Sequence, residues 1–292
     1  VSSGGPITQD NTGVEYYATI FAVDESPLQE GLIWVGSDDG LIHLTKDGGA
    51  TWENVTPKKM PDWMMINSID ASSFDSGTAY IAGTRYKLGD FTPYLYVTDD
   101  YGKNWKLITD GIKDEHFTRV LRSDKVNKNI LYAGTETGMY ISYDRGNSWN
   151  EFQKNLPIVP ITDLTIKDNS LIVATQGRSI WMIDDLTVFH QLTPSTDQIK
   201  LYKPKDSYRM GGAGGRKSLT AGTNLPNGAI IHYFIPNYSK ENDQVSLSIH
   251  SSDGTLIKEF SDKSKENLLK VKNGGNSFVW NMKYPGAKRL DN

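Results

Sequence analysis

The sequence contains no cysteine, no long apolar run and no excess of basic charge. Without cysteine there is no disulfide framework, thiolate nucleophile or cysteine-ligated zinc site. No apolar run approaches the roughly 18 residues that a membrane-spanning helix needs. A net charge of −4 offers no general field for nucleic acid or an anionic membrane, so neither partner is expected. Because the first residues, Val-Ser-Ser-Gly-Gly-Pro, form neither an initiator methionine nor a signal peptide, we expect a piece of a longer protein.

What the sequence does contain is a repeated turn motif. The pattern [ST]-x-D-x-G-x-[STN]-W occupies residues 45–52, 98–105 and 142–149, and its tryptophans recur at spacings of 53 and 44 residues. Repeats near this length are typical of propellers and solenoids. The 27 glycines and 12 prolines agree with many short strands joined by tight turns.

Each repeat reads as three strands, the motif and a final strand, which makes one four-stranded propeller blade. The predicted units cover residues 17–55, 66–112, 117–156 and 161–192. In the second unit a longer segment, residues 85–93, replaces the middle turn and explains the wider spacing. The fourth unit has lost the motif. The sequence therefore predicts an all-β fold with four propeller blades.

The motif residues have a structural explanation. An aspartate in a tight turn accepts backbone N–H bonds, the glycine supplies a positive φ, and the tryptophan buries its ring between sheets. A residue repeated in successive blades serves the blade, so we assign this role and not catalysis to the whole set. The set is Asp47, Gly49, Trp52, Asp100, Gly102, Trp105, Asp144, Gly146 and Trp149.

The composition changes after the fourth blade. We predict propeller blades over residues 1–195, a glycine-rich linker over 196–226, and an immunoglobulin- or FlgD-like β-sandwich over 227–292. The Asp253-Gly254 pair between two alternating runs is a hairpin signal. The predicted sandwich strands are residues 229–235, 244–250, 255–260, 268–271 and 277–282.

The three motifs resemble the Asp-box (BNR) repeats of sialidases, two-propeller xyloglucanases and the sortilin/Vps10 ectodomain. Residues 31–40, 131–138 and 174–185 resemble C-terminal blades of large secreted bacterial proteins with sortilin-type propellers, which are often labelled glycosyl hydrolases. Residues 278–286 resemble the sandwich that follows such propellers. The resemblance implies a secreted, periplasmic or cell-surface location. It also implies a seven-bladed ring that is incomplete here, its missing blades coming from upstream in the same chain or from another chain.

Ligands of such rings bind on the face opposite the motif turns, where the loops between strands two and three and between blades emerge. Residues of these loops are the predicted ligand-binding set: Trp63, Arg85, Tyr86, His116, Gln176 and Arg178. Arg178 also fits a role in bracing the last blade. Glycoside hydrolysis needs two carboxyl groups, for which Asp38, Asp39 and Glu136 are candidates, although each also fits an ordinary β-turn. No motif indicates a cofactor, and the five scattered histidines indicate no metal site.

Two functions from different classes follow. The first is a secreted or cell-surface propeller that binds a glycan or a protein, with the sandwich as a spacer or docking module. The alternative is a sialidase- or xyloglucanase-like glycoside hydrolase whose carboxylate pair is completed by upstream blades. A purely structural role in a cell-envelope assembly is the third interpretation.

Overall fold

Short antiparallel strands account for nearly all regular structure in the computed structural model, which describes residues 18–192, 197–208, 225–284 and 286. Residues 193–196 and the glycine-rich stretch 209–224, both within or beside the predicted linker, lie outside the described residues. The chain divides into two compact units, one ending at Leu186 and one beginning at Thr187.

The first unit consists of four sheets, in each of which the strands follow one another in chain order. Blade 1 contains β1 (Ile20–Glu25), β2 (Ile33–Ser37), β3 (Ile42–Thr45) and β4 (Glu53–Asn54). Blade 2 contains β5 (Met65–Ala71), β6 (Ala79–Arg85), β7 (Asp90–Thr98) and β8 (Lys106–Leu107). Blade 3 contains β9 (Thr118–Ser123), β10 (Leu131–Thr135), β11 (Gly138–Ser142) and β12 (Asn150–Glu151). Blade 4 contains β13 (Ile161–Lys167), β14 (Ser170–Thr175) and β15 (Ile180–Ile183). The predicted all-β fold with four blades is confirmed.

Small residues in the second strand let neighbouring blades approach closely. A Cβ on Gly36 would lie 2.4 Å from Cγ2 of Ile66, in the first strand of blade 2. A Cβ on Gly134 would lie 2.6 Å from Cγ2 of Ile161, in the first strand of blade 4. Since real Cβ atoms do not tolerate such distances, any side chain here would force the sheets apart.

The three motif turns form the same hydrogen bonds. In the first, Asp47 accepts bonds from the Thr51 backbone N–H (2.9 Å), the Thr51 hydroxyl (2.6 Å) and the Thr45 hydroxyl (2.7 Å). Asp100 accepts the corresponding bonds from Asn104 and Thr98, and Asp144 from Ser148 and Ser142. The carboxylate thus ties together both arms of the turn.

Two of the motif tryptophans connect consecutive blades. The indole N–H of Trp105 donates to the carbonyl of Val55, and that of Trp149 donates to the carbonyl of Ile108, both at 2.7 Å. Each acceptor lies three residues after the tryptophan of the preceding blade. The motif glycines fit the same contact, because a Cβ on Gly102 or Gly146 would lie 2.6 Å from the side chain of Val55 or Ile108 respectively. The predicted wedge between sheets is observed at these two positions.

Trp52 differs from this prediction. Its side chain is 46% exposed, whereas that of Trp149 is 4% exposed. A Cβ on Gly49, the glycine of the same motif, would meet only the Trp52 ring, at 3.7 Å. The reason is that each motif packs on the blade before it, and within the described residues no sheet precedes β1. The prediction that each motif tryptophan buries its ring between sheets does not hold at Trp52 within the described residues.

A second set of contacts joins the innermost strands. Asp24 accepts a bond from the Ala71 N–H at 2.6 Å, and Asp70, at the equivalent position of blade 2, accepts one from the Ser123 N–H at 2.8 Å. In blade 3 this position is Arg122, whose Nε donates to the Leu164 carbonyl at 2.9 Å. The same position therefore reaches the next blade at all three junctions, with donor and acceptor exchanged at the third.

The second unit contains two sheets that share one core. One sheet has the order β16 (Lys200–Leu201), β17 (Ala229–Ile235), β20 (Gly274–Trp280), and the other pairs β18 (Ser246–His250) with β19 (Leu256–Ser261). Tyr233 and Ile235 of β17 pack with Phe260 of β19 and with Leu269, as expected for a small sandwich. Two details differ from the sequence analysis: β16 falls within residues 196–226, and residues 268–271 form only an isolated bridge from Leu268 to Ser261.

The difference between the tryptophans predicts a difference in stability. Trp149→Ala removes a buried ring and its hydrogen bond, so we expect it to lower the free energy of unfolding by about 3–5 kcal/mol. Trp52→Ala removes a half-exposed ring and should cost less than about 1 kcal/mol. Urea unfolding followed by circular dichroism measures both values, and equal losses would contradict the packing described.

The motif turns also predict acid sensitivity. Hydrogen bonds from the Thr51 hydroxyl, the Thr51 N–H and the Thr45 hydroxyl lower the pKa of Asp47 to about 2. An unfolded aspartate has a pKa of about 3.9, so the folded state favours the ionised form. This contribution is complete above about pH 5 and is lost as the pH falls towards about 2. Asp47→Asn should therefore lower stability at neutral pH and weaken its dependence on acid, whereas Thr51→Ser, which keeps the hydroxyl, should retain that dependence in urea titrations.

Candidate functional site

Four of the predicted site residues line one pocket between blades 1 and 2. Asp38 comes from the loop after β2, Trp63 from the connection between the blades, and Arg85 and Tyr86 from the end of β6 and the residue that follows it. Thr84, the residue before Arg85, also lines the pocket. These five residues are called the junction pocket below. The convergence expected from the loop positions is thus observed for three separate loops.

Arg85 fixes the shape of the junction pocket. Its Nε donates to the carbonyl of Asp62 at 3.0 Å, and its NH1 forms an ion pair with Asp90 at 2.7 Å. Arg85 thereby ties the connection between blades 1 and 2, which carries Asp62, to Asp90 at the start of β7. Trp63 has φ +61°, a left-handed conformation that is uncommon for a residue other than glycine. Residues in such conformations cluster at binding sites, where the surrounding structure holds them in place.

Thr84 provides the junction pocket with a hydroxyl that the fold does not use. Its side chain is 1% exposed, and its Oγ1 has no hydrogen-bond partner. Leaving a buried hydroxyl unpaired costs about 1–3 kcal/mol. The sequence analysis did not select Thr84, because a threonine at the end of a strand is ordinary and its isolation depends on contacts between blades.

An aromatic cluster continues from the junction pocket towards blade 3, in which Phe91 is exposed, Tyr86 is half-buried and Phe117 is buried. The Tyr86 ring stacks on Phe117 with centroids 5.3 Å apart, and Phe91 lies 5.9 Å from Phe117. The Arg119 guanidinium covers both Tyr86 (5.7 Å) and Phe117 (5.3 Å). We call Tyr86, Phe91, Phe117 and Arg119 the platform. Since Tyr86 belongs to both sets, the pocket and the platform are continuous, although neither Phe91 nor Phe117 was predicted as a site residue.

The three candidate catalytic carboxylates all have partners within the fold. Asp38 accepts a bond from the Thr19 N–H at 3.0 Å, and Asp39 accepts one from the Ser37 hydroxyl within its turn. Glu136 forms an ion pair with Arg119 at 2.5 Å. Asp38 therefore lies at the junction pocket and Glu136 beside the platform, and the contacts of all three are those of turn and ion-pair residues.

His116 lies in a separate cavity of about 320 Å³, at the connection between blades 2 and 3. Its Nδ1 is 2.8 Å from the Tyr140 hydroxyl. Burial and the neighbouring Lys113 lower the pKa of His116, which leaves the imidazole neutral at neutral pH. Glu151 pairs with Lys113 in the wall of this cavity.

Gln176 and Arg178 are exposed in the turn between β14 and β15 of blade 4, and neither lines the junction pocket. The Gln176 N–H donates to the Pro160 carbonyl at 2.9 Å, and the Arg178 guanidinium donates to the Gly177 carbonyl at 2.9 Å. The turn is braced by Trp181, whose indole donates to the Arg178 carbonyl at 2.8 Å.

A third feature lies on the innermost strands, where the pairing of the first two strands shifts register once in every blade. The residues skipped by the pairing are Phe21, Asn67, Arg119 and Thr162, and all four line one polar cavity of about 300 Å³. A β-bulge redirects a side chain, which explains how four equivalent positions face one space. Arg119 thereby contributes both to this cavity and to the platform.

The residues that the structure describes hold neither a candidate metal-ion cluster nor a helix that could cross a membrane. Within these ranges no group of three or more histidine, aspartate or glutamate side chains is arranged to hold a metal ion. None of the helical segments in the same ranges is long and apolar enough to cross a membrane.

Comparison with known proteins gives one family match. The family model for sortilin, neurotensin receptor 3 (Sortilin-Vps10) matches residues 93–272. No curated protein sequence matches the chain.

Several solved structures align with the chain. One is YCF48 bound to D1 peptide, at 20% identity and TM-score 0.44, covering 57% of this chain and 52% of that one. Another is YCF48 from Cyanidioschyzon merolae, at 17% identity and TM-score 0.42, covering 75% and 67%. A third is the GH74 xyloglucanase from Xanthomonas campestris, at 16% identity and TM-score 0.44, covering 74% and 36%. The chain thus spans about half of the first structure and about a third of the xyloglucanase.

The isolated hydroxyl of Thr84 leads to a prediction about stability. Thr84→Val removes a buried polar group that has no partner, so the free energy of unfolding should stay the same or rise by about 1 kcal/mol. Thr118→Val is the matched control. The Thr118 hydroxyl accepts from the Tyr94 N–H at 3.0 Å and donates to the Tyr94 carbonyl at 2.8 Å, and its loss should cost about 1–3 kcal/mol. Urea unfolding of both variants tests this, and a large loss in Thr84→Val would reveal a partner for its hydroxyl.

Proposed function

The chain belongs to the Sortilin-Vps10 family, and from that membership we propose that it is a secreted or cell-surface β-propeller module that binds a glycan or a protein partner. The ligand lies over the platform and the mouth of the junction pocket, because the pocket itself, at about 10 Å³, holds no more than one water molecule. The observation that carries this proposal is the continuity of the two through Tyr86, whose ring lies in the pocket wall and stacks on Phe117 of the platform.

The chemistry of the site suits an extended ligand. Aromatic rings bind the apolar face of a sugar or an apolar side chain, and a small number of fixed polar groups orient it. Here Tyr86 supplies a ring in the pocket wall, Phe91 adds an exposed ring in the platform, and Arg85 is held in place by two contacts. Binding sites are pre-formed in this way when their side chains are locked by contacts outside the ligand.

The motif turns make the blades that carry the proposed site rigid. We infer that Asp47, Asp100 and Asp144 are Asp boxes that shape the blades and take no part in binding. Their carboxylates are occupied by hydroxyl and backbone donors of their own turns. A rigid ring with variable loops suits recognition, because the loops hold the ligand while the blades keep their geometry.

Binding without hydrolysis is favoured by the carboxylate contacts. A glycoside hydrolase places two carboxyl groups on either side of the bond, about 5–9.5 Å apart. In this chain Asp38 and Asp39 hold a turn and Glu136 is paired with Arg119. Upstream blades completing a carboxylate pair would restore the hydrolase alternative.

A glycan array and a peptide display screen on the purified chain identify the ligand. Tyr86→Ala removes the ring shared by pocket and platform, so we expect it to weaken binding about tenfold or more. Phe74→Ala is the matched control, since Phe74 is an exposed aromatic residue in the turn between β5 and β6, outside the site. It should leave affinity unchanged.

Two results would contradict the proposal. Equal affinities of the Tyr86→Ala variant and the unsubstituted chain would place the ligand elsewhere. Release of reducing sugar from a bound glycan, abolished by Glu136→Gln, would establish the hydrolase alternative instead.

A further inference from the structure

Blade 3 carries a cavity of about 320 Å³ beside the platform, where the connection from blade 2 meets the turn between β10 and β11. Its walls include His116, Gly138, Met139, Tyr140 and Ile158, and we call it the His116 cavity. This volume lies within the range of about 300–1,000 Å³ that is typical of ligand pockets. The junction pocket, at about 10 Å³, holds one water molecule at most. Of these two spaces, the His116 cavity is therefore the one with room for a group of a ligand.

The wall that carries Ile158 is fixed by contacts within blade 3. The Gln153 amide donates to the carbonyls of Leu156 and Pro157 at 2.9 and 2.8 Å, and its oxygen accepts a bond from the Met139 N–H at 3.3 Å. The segment before Ile158 is thus held to β11, whereas the Ile158 side chain is itself 78% exposed. The cavity is formed without a ligand, and its rim presents an aliphatic side chain that a ligand would cover.

His116 provides the cavity with a hydrogen-bond donor. Its Nδ1 lies 2.8 Å from the Tyr140 hydroxyl, which also accepts a bond from the Lys113 N–H at 3.5 Å. Burial lowers the pKa of His116 and raises the pKa of Tyr140, so both side chains are neutral at neutral pH. Within the described residues the Tyr140 hydroxyl reaches no other acceptor, so it donates to Nδ1 and the imidazole carries its proton on Nε2. The Nε2–H of His116 is therefore a donor for a ligand.

The chemistry of the walls favours an apolar group over a sugar or a charged group. Met139 and Ile158 supply aliphatic surface, and the charged side chains Lys113 and Glu151 form an ion pair with each other. A sugar unit brings several hydroxyls into such a space, and each one that is buried without a partner weakens binding. The aliphatic side chain of a peptide has no such groups, and the peptide main chain supplies the carbonyl that the His116 donor requires.

The His116 cavity and the platform are built from the same two loops. Phe117 of the platform directly follows His116, and Glu136, the ion-pair partner of Arg119, directly precedes Thr137 in the cavity wall. The Glu136 N–H donates to the Phe117 carbonyl at 3.1 Å, which ties the two loops together. Because consecutive Cα atoms are about 3.8 Å apart, an extended ligand that lies on the platform also reaches the cavity.

We propose that the His116 cavity binds an aliphatic side chain of an extended peptide, with Nε2 of His116 donating to a main-chain carbonyl of the same peptide. This inference rests on the proposed function, because the peptide is the ligand that also covers the platform, and it selects a protein partner over a glycan. Binding energy in protein complexes is concentrated in a few side chains that fill pockets. The side chain in the His116 cavity is such an anchor.

The test uses a minimal probe on the full chain. The probe is N-acetyl-leucine methylamide, which has one aliphatic side chain between two amides, and a compound of this size is expected to bind with a Kd of about 1 mM. The chain contains seven methionines, so carbon-13 labelling of their methyl groups gives few NMR signals, and Met139→Leu identifies the signal of Met139. We expect this signal to shift on titration with the probe, and to shift less with N-acetyl-serine methylamide or methyl glucoside at the same concentration.

Substitutions in the wall test the two contacts separately. Ile158→Ser removes exposed aliphatic surface, so the Kd for the probe should rise about fourfold or more. Val126→Ser is the matched control, since Val126 is 64% exposed in the turn after β9, outside the cavity, and its substitution should leave the Kd unchanged. His116→Phe removes the donor and should raise the Kd about fivefold, whereas His116→Gln, whose amide keeps a donor, should retain most of the affinity.

Several results would overturn the inference. One is a Met139 signal that stays unchanged at probe concentrations well above the expected Kd, and another is a larger shift with methyl glucoside than with the probe. Equal affinities of the Ile158→Ser and Val126→Ser variants, or of the His116→Phe variant and the unsubstituted chain, would also overturn it.

Failure of this inference is distinguishable from failure of the proposed function. The probe is too small to span the platform, so its binding tests the cavity alone. A peptide from the display screen whose binding is weakened by Tyr86→Ala but not by Ile158→Ser would support the proposed function and contradict the inference. The opposite result would retain the cavity and contradict the placement of the ligand on the platform.

Discussion

The packing of each motif tryptophan on the blade before it is the interaction on which the rest of the first unit depends. At Trp105 and Trp149 an indole N–H reaches a backbone carbonyl at 2.7 Å, and a glycine of the same turn leaves room for the aliphatic residue that carries this carbonyl. The indole thus satisfies its polar atom while burying its ring. Because hydrogen bond and close approach occur together, the distance and angle between consecutive sheets are fixed at one edge of every such junction.

The fixed distance and angle between consecutive sheets also bring the residues of the candidate site together. Asp38, Trp63 and Tyr86 belong to three different loops, and only the fixed relation between blades 1 and 2 brings them into one pocket. The platform depends on the next junction, where Tyr86 of blade 2 stacks on Phe117 of blade 3. A ligand that covers both would therefore contact three blades, and its affinity would depend on the junctions as well as on the side chains that touch it.

The sequence predicted the blades well because their signals are local. The motif residues 45–52, 98–105 and 142–149 specify a turn through bonds made within five residues, and the alternating runs on either side of it became strands. Predictions that depend on neighbouring sheets were less complete. The exposure of Trp52 follows from the absence of a sheet before β1 in the described part of the chain, which the motif itself does not encode.

The site was predicted in the same uneven way. Asp38, Trp63, Arg85 and Tyr86 were selected from loop positions, and the structure brings them together. Phe117 and Thr84 were missed because their significance depends on partners in space: one is stacked on a residue 31 positions away, and the other is a buried hydroxyl without a partner. No local pattern distinguishes either residue from an ordinary strand residue.

The contacts of the innermost strands have a consequence for folding. Similar repeats risk docking on the wrong neighbour, which is a characteristic failure of repeat proteins. Asp24 and Asp70 require a backbone N–H from the next sheet, whereas Arg122 requires the carbonyl of Leu164 and also reaches the carboxylate of Asp163. A sheet that followed blade 3 out of turn would still present a backbone carbonyl, but it would place Ala22, Ser68 or Val120 where blade 4 has Asp163, so the Arg122–Asp163 pair favours the correct neighbour.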